Sequence, residues 1–133
     1  DTAPLIYFIE ENPTFLETVQ IFFEAMERGD FVVVTSTVTL VEVLVHPMRK
    51  NDMSLAAEYR DILLNSKLMT MEVSTSIAEN AARLRAIHGI RTPDAIQISA
   101  ALIAGATHFL TNDIRLPEMS SIQILSLDSL VKL

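Results

Sequence analysis

The sequence predicts one α/β domain, a mostly parallel sheet with helices on both faces. Three observations carry this. Short β-branched or apolar runs alternate along the chain with stretches of helical periodicity. Glycine or proline punctuates most of the junctions between them. The 133 residues contain no repeat and no low-complexity linker, a length that suits one domain with a substantial core.

The elements follow in order. Asp1 to Glu10 is a short apolar segment opening on an acid. Thr14 to Arg28 places Phe15, Leu16, Val19, Phe22, Phe23 and Met26 near helical spacing and stops at Gly29, a residue suited to the left-handed C′ position. Phe31 to Ser36, FVVVTS, reads as a strand. Val38 to Val45 reads as a helix stopped by Pro47. Ser54 to Leu64 is a helix, Leu68 to Val73 a short strand, and Thr75 to His88 a helix capped by Gly89. Thr92 as N-cap and Pro93 at the first helical position open a helix running to Gly105. His108 to Thr111 and Ile122 to Leu127 are strands. In such folds ligands bind beyond the carboxyl ends of the strands.

Composition narrows the function. A formal net charge of −7 argues against a protein that coats nucleic acid with a basic face. There is no cysteine, which excludes disulfides and thiolate metal sites and fits a reducing cytoplasm. The longest charge-free run, Ala95 to Asn112, is interrupted by Gln97, Ser99, Gly105, Thr107 and His108, so it reads as a buried helix plus a buried strand rather than a membrane span. The opening DTAPLIYFIE has no basic n-region of a signal peptide.

The run is bracketed by two acids, Asp94 and Asp113. A charge beside a core is costly unless something answers it. Glu42, in TLVEVLV, is the only formally charged residue between Phe31 and Met48, and Asp1 precedes TAPLIYFI. Each has an ordinary explanation alone: a solvated stripe for Glu42, helix-dipole stabilisation for Asp94, a turn for Asp113 and a frayed end for Asp1. Together, the alternating pattern sends all four to one edge of the sheet. Clustered carboxylates must protonate or share a cation. An all-oxygen set without His or Cys suits Mg²⁺ or Mn²⁺, ions that work on phosphoryl groups. The other acids lie in polar or amphipathic stretches, His46, His88 and His108 are scattered, and no glycine-rich phosphate loop occurs.

DTAPLIYFIE, a strand followed by TLVEVL, TPDAIQISAAL and HFLTND, in that order over nearly the whole chain, resemble the PIN-domain family, and within it the VapC-type toxins of bacterial toxin–antitoxin modules. The resemblance implies an α/β/α sandwich around a parallel sheet and a Mg²⁺- or Mn²⁺-dependent endoribonuclease. It implies an acidic site of Asp1, Glu42, Asp94 and Asp113, with Thr111 and Asn112 positioning water. It also implies a homodimer and a protein antitoxin covering the active site. Two departures stand out. Ala3 occupies a position where the family usually has Asn, and the family's first strand lies upstream of its first Asp. An apolar strand is therefore expected ahead of Asp1. Arg91 and Arg115, with Arg49 and Lys50, are the candidate phosphate contacts.

The leading expectation is a cytoplasmic, metal-dependent endoribonuclease acting on single-stranded or looped RNA, the toxin of a toxin–antitoxin pair. The alternative is a PIN-like module that binds RNA or a protein without cutting. A metal-dependent phosphatase ranks lower, for want of a DxDx[TV] motif.

Overall fold

The computed structural model describes residues 1–113 and 115–131. The element order is α1 (Ala3–Ile9), α2 (Leu16–Arg28), β1 (Val34–Ser36), α3 (Thr37–Arg49), α4 (Met53–Asn65), β2 (Met69–Met71), α5 (Thr75–His88), α6 (Thr92–Ile103), β3 (His108–Thr111), β4 (Gln123–Ser126) and α7 (Leu127–Val131). All the strand pairing in these elements is parallel. β1 pairs with β2, from Val34 opposite Met69 to Ser36 opposite Met71. β3 pairs with β4, from His108 opposite Gln123 to Thr111 opposite Ser126. The expected single sheet is thus divided into two pairs.

Two apolar clusters hold the layers. One gathers Val19, Phe23, Met26, Val43, Leu44, Tyr59 and Leu63 from α2, α3 and α4. The other gathers Ala81, Leu84, Ala95, Ile98, Phe109 and Ile122 around α5, α6 and β3. Burying a side chain of this size contributes roughly 1.5–3 kcal/mol, so most of the fold's cohesion lies in these two clusters.

Several boundaries differ from the sequence reading. Within the short apolar segment, to which the sequence reading gave no secondary structure, Ala3–Ile9 form a helix, with Pro4 in its first turn, where a missing N–H costs nothing. The first strand is Val34–Ser36, shorter than Phe31 to Ser36, because β2 offers only Met69–Met71 as partners. Pro47 does not stop α3, which runs on to Arg49. It lies in the last turn, where little helix remains to be disturbed, and the Lys50 N–H still closes onto the His46 carbonyl. Thr92 is not the N-cap. The Ala95 N–H bonds to the Arg91 carbonyl, so Arg91 holds that position and Thr92 and Pro93 fall inside the first turn. That helix ends at Ile103, short of Gly105, whose φ of 81° lets the chain reverse.

Candidate functional site

The site assembles at the carboxyl ends of β1 and β3. Asp1 stands before α1, Glu42 is on α3 directly after β1, Asp94 is in the first turn of α6, and Asp113 follows β3 by two residues.

Asp1 is held by three donors. The Thr2 backbone N–H donates to Oδ1 at 2.7 Å. The Thr111 hydroxyl donates to Oδ2 at 2.9 Å, and the Asn112 backbone N–H reaches the same oxygen at 3.4 Å. Thr111 is buried, 1 % exposed, and its Oγ1 also accepts from the Asp113 N–H at 2.9 Å. It ties the first acid to the last. The Asn112 side chain turns away and donates to Tyr7 Oη at 2.9 Å.

Glu42 is solvent-exposed, but its Oε1 accepts from the buried Thr2 hydroxyl at 2.7 Å. Behind Thr2 lies a polar thread through the core. Thr2 Oγ1 is 3.3 Å from Thr39 Oγ1, which accepts from the Gln97 side-chain amide at 2.5 Å. Gln97 Oε1 in turn accepts from the Ser36 hydroxyl at 2.8 Å. Among the described residues no buried side-chain nitrogen or oxygen lacks a partner. A fully satisfied network of this kind rigidifies what it touches.

Asp94 and Asp113 have arginine partners. Arg91 Nε donates to Asp94 Oδ2 at 3.3 Å. Arg115 clasps Asp113, Nε to Oδ1 at 2.9 Å and Nη2 to Oδ2 at 3.2 Å, with its backbone N–H also on Oδ1. The Arg115 hydrogen bonds hold the Asp113 carboxyl below its usual range, and the charges of Arg115 and Arg91 act in the same direction.

The structure brings the four predicted acids to one edge but aims them at protein donors. Among the described residues no three acidic or histidine side chains close into a cation cage. The chemistry of the set still suits a hard divalent cation: all its charged ligand atoms are oxygens, and its two arginines are 69 % and 78 % exposed. Arg91 and Arg115 are engaged with the acids themselves. Arg49 and Lys50 lie at the far end of α3, about 10 Å beyond Glu42 at ~1.5 Å per residue, and do not share the edge. Sequence reasoning missed Thr2, Ser36 and Thr39 as site residues. It noted Gln97 only as a break in an apolar run. The signal was there: Gln97 sits at i+3 from Asp94 in an otherwise apolar helix, so the two share a face.

An α/β domain with four carboxylates at the carboxyl edge of its parallel strands defines a class of acidic-site proteins. The chain belongs to the PIN domain family, whose profile matches residues 1–122. Its fold is similar to that of a chain in a toxin–antitoxin complex from Klebsiella pneumoniae, at 19 % identity and a TM-score of 0.72 over 96 % of this chain and 94 % of that one. It is also similar to a chain of VapBC2 from Rickettsia felis bound to a DNA fragment from its promoter, at 16 % identity and a TM-score of 0.72 over 95 % of each. No curated protein matches the sequence.

Proposed function

We propose that this chain is a metal-dependent endoribonuclease and the toxin of a toxin–antitoxin pair. The observation that carries the reading is the acidic edge: Asp1, Glu42, Asp94 and Asp113, drawn from four separate parts of a PIN-domain chain, all lie at the carboxyl ends of β1 and β3. These four would hold Mg²⁺ or Mn²⁺, with Asp113 released from Arg115. When bound, the cation polarises a phosphodiester and makes a water more acidic. The protein's own part is positional. Thr111 and the Thr2 N–H orient Asp1, Thr2 orients Glu42, and the released Arg115, with Arg91, meets the RNA phosphates.

Few cations stand at this edge, so flexible single-stranded or looped RNA, which can splay toward it, suits it better than stiff duplex. Binding is expected to be weak and salt-sensitive. A protein partner is supported by an apolar stripe on α3, where Val41, Val45 and Met48 are 67 %, 41 % and 61 % exposed at i, i+4 and i+7. An antitoxin and a second copy of the chain are the partners proposed. Among the described residues no helix is long and apolar enough to cross a membrane. We place the protein's action in the cytoplasm.

The reading is tested by incubating a hairpin RNA with the protein in Mn²⁺ and in EDTA, beside the same stem fully paired. Metal-dependent cuts in the loop are expected. RNA binding without cleavage in either condition would instead favour the non-cutting module, for which the Arg115 clasp on Asp113 is the supporting observation.

A further inference from the structure

The chain has six phenylalanines, two tyrosines and no tryptophan. Phe23, Tyr59 and Phe109 are buried. Phe8, Phe22 and Phe31 join Phe23 in one series of ring contacts. Tyr7 and Phe15 form a separate pair. Their rings stack with centroids 4.8 Å apart and planes 9° from parallel, and both side chains are only half-buried. A stacked pair that keeps part of its surface in water has not spent all of its apolar area on the core.

The turn between α1 and α2 fixes the pair. The Asn12 N–H closes onto the Tyr7 carbonyl at 2.9 Å, and Asn12 Oδ1 accepts from the Thr14 and Phe15 N–H groups at 2.9 and 3.2 Å. Tyr7 is also tied to the acidic edge. Its hydroxyl accepts from the Asn112 side-chain amide at 2.9 Å, and the Asn112 N–H reaches Asp1 Oδ2 at 3.4 Å. One residue therefore spans the gap between the ring pair and the first acid, and the next residue in the chain is Asp113. Charge gives this edge little hold on a polyanion. The net charge is −7, and Arg91 and Arg115 are engaged by Asp94 and Asp113. A base stacked on an aromatic ring needs no cation and is tolerated whatever its sequence. Rings already held in place lose little freedom when they bind.

We propose that Tyr7, backed by Phe15, is a stacking platform for one unpaired base of the RNA, beside the phosphate that meets the acidic edge. Only a base splayed out of a single strand or loop can present its face to a ring, since the faces of paired bases are covered by their neighbours in the helix. The platform rests on the RNA reading given above, and it serves that reading whether the chain cuts RNA or only binds it. Its contribution is independent of phosphate charge, so it anchors the strand where arginine contacts weaken with salt.

The test is hairpin binding in EDTA, with cleavage in Mn²⁺ beside it, by the parent, Tyr7→Leu and Tyr7→Phe. The probes have a uridine loop in which one nucleotide, moved through the loop in turn, carries adenine or no base. At one position the parent is expected to bind the adenine loop about tenfold more tightly than the abasic loop. Tyr7→Phe keeps the ring and is expected to keep that ratio; Tyr7→Leu is expected to bind both loops equally. The parent's ratio should be the same at low and high salt, because no phosphate contact differs between the two loops. A parent ratio near one at every position overturns the platform without recourse to any variant. So does a Tyr7→Leu ratio equal to the parent's, or a Tyr7→Phe ratio as low as that of Tyr7→Leu. In those cases a parent that still binds or cuts the loops leaves the RNA reading standing and removes only the platform. A parent that neither binds nor cuts any loop removes both.

Discussion

The Thr2 hydroxyl donates to Glu42 Oε1 at 2.7 Å, joining the residue after the first acid to the second acid across 40 positions of sequence. Thr2 is 5 % exposed and Glu42 is exposed, so a buried donor holds an exposed carboxylate. Thr2→Val keeps the shape and removes the donor. Partners that orient metal-ligating carboxylates are typically worth about 10–100-fold in affinity or activity. Mn²⁺ affinity, read by calorimetry, is expected to fall about tenfold in Thr2→Val and to recover in Thr2→Ser. Equal affinity in all three proteins would show that Glu42 does not depend on Thr2.

Gln97 is the relay of the thread behind Thr2. Its amide donates to Thr39 and its carbonyl accepts from Ser36, so the two ends are not interchangeable. Gln97→Leu leaves both hydroxyls in the core without that partner. Stranding a buried polar group costs about 1–3 kcal/mol. Urea unfolding in EDTA is expected to show a loss of that size, and an unchanged midpoint would contradict it.

Asp94 is expected to be required for cleavage but not for folding. Asp94→Asn keeps an acceptor for Arg91 and removes one charge from the acidic edge. It also removes a favourable acid near the start of α6, an interaction typically worth about 0.3–1 kcal/mol, so the two changes oppose and the melting temperature should move little. Cleavage in saturating Mn²⁺ should fall below detection. Activity within a few-fold of the parent would falsify the role assigned to Asp94.

The Arg115 clasp makes a prediction with a definite sign. Asp113 has a folded pKa below its unfolded value because Arg115 hydrogen-bonds its ionised form. Its contribution to stability is therefore fully present above the unfolded value of about 3.9 and is lost as pH falls through the folded value. Arg115→Ala should be less stable than the parent at neutral pH, by a small amount because Arg115 is exposed, and the gap should close in acid. The same substitution removes a competitor for Asp113, so Mn²⁺ should bind more tightly while RNA binds less tightly. Denaturation at pH 7 and pH 2.5, with separate metal and RNA titrations, checks each part.

The helices were legible because their signals are local. Gly29 and Gly89, both at positive φ, cap α2 and α5 where the sequence reading placed them, and Thr75 to His88 needed no adjustment. The charge-free run resolved into α6 and β3, and its bracketing acids came out at the start of a helix and just beyond the end of a strand. Alternation of elements was enough to send Asp1, Glu42, Asp94 and Asp113 to one edge. What the sequence alone could not settle is everything that depends on partners far away in the chain. The Thr111–Asp1 bond spans 110 positions, and the Gln97–Ser36 bond spans 61. Nothing in either residue's neighbours announces such a partner. The clasp of Arg115 on Asp113 is close in sequence, yet sequence reading listed Arg115 only as a candidate phosphate contact and did not pair it with that carboxylate. Strand length and pairing were decided the same way. A helix closes its hydrogen bonds within itself, so caps and breakers specify it. A strand extends only as far as its neighbour does, and that neighbour comes from elsewhere in the fold.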